Sequence, residues 1–372
     1  MTISDFYAGR RVLVTGHTGF KGSWLLHWLE MLGAKVSGFS VDIPTSPSHF
    51  ELTGLGTAAT TTFHDIRDRD ALARMLDAAQ PEVVFHLAAQ PLVRRSYAIP
   101  LETLEVNVLG TANLLEAIRT AGAACTVVVA TSDKCYANTG QVSGYRESDP
   151  MGGHDPYSMS KGAAELVVSS WRDSYFAVPG SPVRMASARA GNVIGGGDWA
   201  QDRLVADAVR AIAAGRPIVL RSPDATRPWQ HVLEPLSGYL LLGARLAQAS
   251  DPRSFAEGWN FGPDLAHVRP VRDVAEALVG AFGRGEVVVE HDPADPHEDF
   301  ALALNCDKAH ELLGWHPVWD FAETIVRTVE WYSRWLAGAT DMRSGTRAQI
   351  EDYARTFLSR ADGPSARVEV GA

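Results

Sequence analysis

A chain of 372 residues with 46% hydrophobic and 21% charged residues is long enough for two packed units, and its composition is too ordinary for a disordered, collagenous or coiled-coil protein. Its 44 acidic against 34 basic residues leave a net charge of −10, which argues against holding nucleic acid by neutralising many phosphates. A small anion bound locally remains compatible. Only five of the basic residues are lysines, Lys21, Lys35, Lys134, Lys161 and Lys308.

The N-terminus lacks the ~7 to 15 residue apolar stretch of a signal peptide, and no run approaches the ~18 residues of a membrane span, so a cytoplasmic protein without membrane contact is expected. Cys125, Cys135 and Cys306 show no paired spacing, so reduced thiols and no metal site are expected. Apolar runs at Arg11 to Thr15, Lys35 to Val41, Thr60 to Phe63, Val83 to Leu87, Thr126 to Thr131 and Val183 to Arg189 alternate with helical patterns, which predicts a parallel sheet covered on both faces. Trp24, Leu25, Trp28, Leu29 and Leu32 recur at helical spacing and read as core, with Gly33 as the stop.

After about residue 190 the texture changes to Gly195-Gly196-Gly197, several prolines and mixed short elements. The fold class expected is α/β: a Rossmann-type doubly wound parallel sheet with a smaller mixed α/β C-terminal substrate lobe. Residues 1–190 form the dinucleotide domain, with Val232 to Ala249 and Trp259 to Gly262 read as returning to its sheet. Residues 191–231 and 263–345 form the lobe, and 346–372 a terminal helix and frayed tail. Pro44 to Pro47 and Pro293 to Pro296 read as surface loops.

The first strand runs into Thr15-Gly16-His17-Thr18-Gly19-Phe20-Lys21-Gly22 and then a helix. Glycines there let backbone N–H groups approach a pyrophosphate at the positive end of that helix. Asp42, twenty residues beyond Gly22, is placed to accept from a ribose 2′-hydroxyl, and with no Arg beside it NAD is favoured over NADP. Asp65 and Ile66 after the third strand suit an adenine contact, with a helix cap as the equal alternative for Asp65. Leu87, Ala88 and Ala89 after the fourth strand are small enough for close approach of a ligand. His86 reads as a packed strand residue.

Asp155-Pro156 starts a helix that sets Tyr157 and Lys161 one turn apart on one face. An ammonium beside a phenol favours phenolate and makes tyrosine a base toward an alcohol. The fifth strand ends at Thr131-Ser132-Asp133-Lys134, in front of that pair.

Thr15 to Gly22, His86 to Gln90 and the Tyr157/Lys161 pair resemble the extended short-chain dehydrogenase/reductase family that modifies sugar nucleotides. Thr131 to Tyr136, Gly152 to Tyr157, Ala190 to Trp199 and Arg227 to Val232 resemble its branch that dehydrates CDP-glucose. The likeness runs from residue 11 to about residue 355. It implies a reaction without net redox change, in which NAD takes hydride from C4 and returns it to C6. Tyr157, with Lys161 and Ser132, would take the C4 hydroxyl proton, and Asp133 would protonate the departing C6 hydroxyl. In the dTDP-linked relatives a Glu removes the C5 proton; here that position is Lys134, either a neutral base or a charge that stabilises the enolate and orders Asp133.

The resemblance also implies Asn192, Arg203 and Arg227 as diphosphate ligands, Gln90 and Arg95 toward the hexose, and a homodimer or homotetramer built through helices near Leu101 to Ala121 and Tyr157 to Phe176. His297 and Glu298 read as solvated loop, and Trp229 as core. The competing readings are a 4-epimerase or a dehydratase of another nucleotide-hexose, and a non-catalytic NAD binder. Asp133 and Lys134 disfavour the epimerase, and Ser132, Tyr157 and Lys161 together disfavour the binder.

Overall fold

The computed structural model describes residues 1–57, 60–251, 253–290 and 302–361. The loop prolines Pro293 to Pro296, His297, Glu298 and the tail beyond 361 lie outside the described residues. From the N-terminus, α1 (Ile3–Tyr7) leads to β1 (Arg11–Thr15), α2 (Phe20–Met31), β2 (Lys35–Ser40), α3 (His49–Leu52), β3 (Thr60–Phe63), α4 (Arg69–Ala79) and β4 (Val83–His86). Then α5 (Val93–Ala98), α6 (Pro100–Leu104) and α7 (Gly110–Ala121) cross to β5 (Cys125–Ala130), and α8 (Pro156–Trp171) crosses to β6 (Val183–Ala190).

These strands lie in the order β3-β2-β1-β4-β5-β6, every pair parallel. Period-two alternation splits the core. Leu13, Val84, Val127 and Val129 meet α4 and α7 residues such as Leu72 and Leu114 on one face, while Val12, Val14, Phe85 and Val128 join the larger core on the other. Helix α2 is buried without a break from Gly22 to Leu29 because it has packing partners on both sides.

The second part of the chain holds β7 (Val193–Ile194), α9 (Leu204–Ala213), β8 (Ile218–Leu220), β9 (Thr226–Arg227), β10 (Gln230–His231), α10 (Leu233–Gln248), β11 (Gly258–Phe261), β12 (Arg269–Pro270), α11 (Val271–Phe282), β13 (Val287–Val289), α12 (Phe321–Leu336) and α13 (Met342–Ala361). Of these, β11 pairs parallel with β6 and makes the sheet seven-stranded. The segment Val232 to Ala249 reaches the sheet as a helix: α10 lies on it against β5 and β6 and is buried on nearly every side. The remaining strands form three two-stranded pairs, β7 with β10, β8 with β13 and β9 with β12.

Terminal helix α13 begins at Met342, earlier than the sequence suggests, and docks back on the first half. Trp28 of α2 meets Tyr353 and Phe357 of α13 edge-on at 5.6 and 5.9 Å. Among the described residues, no helix is long and apolar enough to cross a membrane. Strand order reverses between β1 and β4, whose last residues Thr15 and His86 are register partners. A crevice for a ligand opens at the carboxyl ends of such a pair.

Candidate active site

At that reversal, Gly16 has φ +73°, and a Cβ on it would lie 2.6 Å from the Ala88 nitrogen. A Cβ on Gly22 would lie 2.2 Å from the Gly16 carbonyl oxygen. The loop, the start of α2 and the Leu87-Ala88-Ala89 segment therefore touch backbone to backbone. Gly19 caps α2 with no side-chain hydrogen bond, so the first N–H groups of the helix are left for another acceptor. A loop packed so tightly that only glycine fits, beneath an uncapped helix start, suits a dinucleotide pyrophosphate. Thr18 Oγ1 donates to the Asp42 carbonyl at 2.6 Å and fixes the turn that presents the exposed Asp42 carboxylate. Phe20 packs toward Gly195, joining the loop to the second lobe.

Asp65 does not cap a helix. Asp68 caps α4, and Arg67 engages both Asp65 oxygens, which holds that carboxyl below the usual range. Ile66 is buried against Gly110 of α7. His86 is packed, with Nδ1 2.7 Å from Thr15 Oγ1 and Nε2 3.0 Å from Thr111 Oγ1.

Ser132 caps a single 3-10 turn (Asp133–Cys135), and its hydroxyl accepts from the Lys134 N–H at 3.2 Å and donates to Asp133 Oδ1 at 2.8 Å. It also lies by the Tyr157 phenol, on which it exerts a downward pull. Asp133 is 3% exposed, and among the described residues its Oδ2 has no hydrogen-bond partner. Burial pushes its carboxyl up, against the pull of Lys134, Ser132, Arg227 and Lys21. A Cβ at Gly191 would lie 2.4 Å from Pro228 Cγ and 3.2 Å from that orphaned oxygen, so glycine keeps the approach to it open.

Asp155 accepts from the Ser158 N–H and starts α8 as expected. Lys161 Nζ lies 5.8 Å from the centre of the Tyr157 ring. The phenol is not lowered, however. Burial raises it to about 12, and the pull against this comes first from Arg203 and then from Ser132. Burial lowers Lys161 to about 8. Lys21, read from the sequence as a loop residue, reaches this centre. Burial, aided by Arg203 and Lys161, lowers it to about 8, against Asp133 and Asp198.

Arg227 is 6% exposed on β9 and faces Asp133. Arg203 caps α9 and donates to the Pro91 carbonyl at 3.1 Å. Asn192 accepts from the Gln230 N–H through its carbonyl, next to these arginines in the lobe. Gln90 is used differently from the expectation: both its amide hydrogens stay within the chain, on the Leu92 carbonyl and Thr103 Oγ1. Arg95 is exposed on α5, and Trp229 is core, its indole donating to the Arg269 carbonyl.

Sequence reasoning missed two residues. Asn107 lies in a π-turn (Glu105–Leu109) and exchanges hydrogen bonds with the Gln90 backbone while donating to Ser160 Oγ of α8. It clamps the segment after β4 to the helix of Tyr157, and the π-turn that aims it leaves no compositional signature. Asp198 is half-buried, desolvation pushes its carboxyl up, and it faces Lys21 and Arg203.

With this geometry in hand, the family model described as GDP-mannose 4,6 dehydratase matches residues 13–328. The chain belongs to that family. The CDP-glucose 4,6-dehydratase of Salmonella typhimurium is 47% identical over 356 residues, 95% of this chain and 98% of that protein. The dTDP-glucose 4,6-dehydratase of Streptomyces antibioticus is 31% identical, covering 86% and 92%. A solved dTDP-glucose 4,6-dehydratase from Streptomyces venezuelae, with NAD bound, superposes with a TM-score of 0.73 at 26% identity, over 87% of this chain and 97% of that one. The resemblance drawn from the sequence motifs is thereby borne out, and so is the doubly wound fold.

Proposed function

We propose that the chain is an NAD-dependent hydro-lyase that converts CDP-glucose to CDP-4-keto-6-deoxyglucose. One observation carries the reading: a buried carboxyl, Asp133, with an orphaned oxygen, hydrogen-bonded to Ser132 beside the Tyr157 phenol. A 4-epimerase needs the phenol and Lys161 but no buried acid. The nucleotide follows from the near-full-length similarity to the Salmonella protein, whose name specifies CDP-glucose.

Gly16, Thr18, Gly19, Phe20, Lys21, Gly22, Asp42, Asp65, Ile66, Leu87, Ala88 and Ala89, with Tyr157 and Lys161, would hold NAD. When bound, NAD would supply the acceptor for the C4 hydride and the donor of hydride to C6. Tyr157 removes the C4 hydroxyl proton, with Ser132 orienting the phenol and Lys161 supporting phenolate. The resulting 4-ketone acidifies the C5 proton. Asp133, its proton affinity raised by burial, gives a proton to the C6 hydroxyl, which leaves as water while the C5 proton is lost; a proton returns to C5 when hydride reaches C6, and the proton taken by Tyr157 makes good the one Asp133 gave. Lys134 beside it serves this elimination as base or as stabilising charge. Arg203, Arg227 and Asn192 in the lobe (191–231 and 263–345) hold the diphosphate.

The same proposal includes a cytoplasmic enzyme and a homodimer or homotetramer. Exposed Leu101, Leu109, Met159 and Leu166 on and beside α6 and α8 support the assembly. The test is incubation with NAD and CDP-, dTDP-, GDP- or UDP-glucose, scored for a 4-keto-6-deoxy product. CDP-glucose should be converted at least tenfold faster, and conversion of dTDP-glucose alone overturns the substrate assignment.

A further inference from the structure

The reaction as written does not use a buried carboxylate one helical turn beyond Lys161. Glu165 of α8 is 4% exposed. Thr131 Oγ1 donates to its Oε1 at 2.5 Å, while Ser187 Oγ and Arg189 Nη2 donate to its Oε2 at 2.7 and 2.8 Å. Thr131 immediately precedes Ser132, Asp133 and Lys134, and Ser187 and Arg189 are alternate residues of β6. Arg189 Nη1 in turn donates to Tyr136 Oη at 2.8 Å, and Tyr136 donates to Asn260 of β11 at 2.7 Å. One carboxylate thus joins the helix of Tyr157 and Lys161 to the strand end of Ser132 and Asp133, and anchors both to β6.

We propose that Glu165 is a positioning residue of the dehydratase, locking α8 to the end of β5 and supplying the negative charge that faces Lys161. The proposal rests on the function given above. Burial pushes the Glu165 carboxyl up, but the Arg189 guanidinium and the three donated hydrogen bonds outweigh it and hold the group below the usual carboxylate range. It is therefore charged wherever the enzyme works. The groups facing Lys161 are Tyr157 and Glu165 on its own helix, Cys135 after β5, His86 at the end of β4 and Lys21 at the start of α2. Burial keeps the Cys135 thiol and the His86 ring neutral, and Lys21 is a cation. Glu165 is the carboxylate of that set, and its charge opposes the burial that lowers Lys161.

Glu165→Gln keeps the shape and removes the charge. We expect kcat on CDP-glucose to fall about tenfold or more with KM changed less than about twofold, and the basic limb of the kcat profile to move down by about one pH unit. Protein labelled with 13C-lysine offers five ε-methylene signals, that of Lys161 being the one lost in Lys161→Arg. Its titration midpoint should fall by the same amount in Glu165→Gln and stay in place in Glu165→Asp.

The single variant leaves Arg189 as an unpaired buried charge. Glu165→Gln/Arg189→Met removes both charges and provides a folded background in which the midpoint should also fall. An unmoved Lys161 midpoint in the double variant, or in a folded Glu165→Gln, overturns the proposal. The lysine titration needs no substrate. A wild-type protein inert toward CDP-glucose therefore refutes the functional reading, while normal dehydration with an unmoved midpoint refutes only the role of Glu165.

Discussion

Gly22→Ala isolates the dinucleotide cradle from general stability. Alanine in the first turn of α2 gains about 1 kcal/mol of helix propensity. Its Cβ, however, would stand 2.2 Å from the Gly16 carbonyl oxygen and 2.7 Å from the His17 Cα, both backbone atoms that cannot rotate away. Opening the first contact to 3.0 Å moves the loop by about 0.8 Å, an overpacking strain of about 1–3 kcal/mol. The net loss of stability is then at most about 2 kcal/mol, a few degrees in Tm for a chain of this size. Affinity for NAD should suffer more. Misaligning two charge-assisted backbone hydrogen bonds forfeits about 3 kcal/mol, on the order of 10²-fold in Kd. Calorimetric titration of NAD into protein freed of cofactor, with a melting curve on the same sample, reads both quantities. Gly33→Ala is the control: at φ +78° with no contact nearer than 3.7 Å, it should cost about 1–2 kcal/mol of stability and leave affinity alone. If Gly22→Ala binds NAD within threefold of the wild type, the cradle argument is wrong.

Tyr157→Phe should lower turnover by about 10²–10⁴-fold while NAD still binds, because the phenol oxygen is the proton acceptor and the ring is only packing; unchanged turnover removes Tyr157 from the mechanism. Lys134→Met should abolish product. Solvent exchange at C5, followed by deuterium incorporation, is lost if Lys134 is the base and retained if it is a stabilising charge. His17 is lowered to about 4, His27, His86 and His231 to about 3, and His49 in the same direction, each chiefly by burial. Such groups contribute stability that is full above the unfolded value of 6.5 and is lost as pH falls toward 4 and 3, each by about 1.4 kcal/mol per pH unit. Glu234, raised to about 7 by burial, acts in the opposite sense above 4.5 and offsets one of them. Urea unfolding between pH 4.5 and 6.5 should therefore show a steep slope that His27→Leu reduces by one proton; an unchanged slope refutes the assignment for His27.

The central sheet was legible because its inner strands are buried on both faces and read as continuous apolar runs, as in Val83 to His86 and Cys125 to Ala130. The short pairs of the second lobe, two or three residues each, offer no period to detect. The return of Val232 to Ala249 to the sheet was readable, but its form as helix α10 was not, because burial on nearly all sides erases the polar stripe that marks a helix. At the site, local chemistry was readable and long-range partnership was not. Ser132, Asp133, Tyr157 and Lys161 announce themselves by spacing. The clamps, Asn107 on Ser160 and Glu165 on Thr131, join residues 53 and 34 positions apart. Gln90 looked like a substrate residue from its place after β4, yet its amide is consumed by the loop it closes.

The charge pattern explains how an acidic chain can serve two ligands that each carry a diphosphate. Arg203 and Lys161 both act on Lys21, and Lys21, Lys134 and Arg227 surround Asp133. The cluster repels itself: Arg203 and Lys161 help burial bring Lys21 down to about 8. Diphosphates placed among these cations would reverse that shift, so part of the binding energy comes from relief of repulsion already present in the protein. The global charge of −10 then works in the same direction, since it discourages extended polyanions while a desolvated pocket, only weakly screened, keeps its local attraction. Binding of cofactor and nucleotide sugar should accordingly weaken little as salt is raised from 0.05 to about 0.5 M, where a surface-held phosphate contact would lose most of its strength. A steep salt dependence of Kd would place the diphosphate contacts on exposed arginines instead of on Lys21, Arg203 and Arg227.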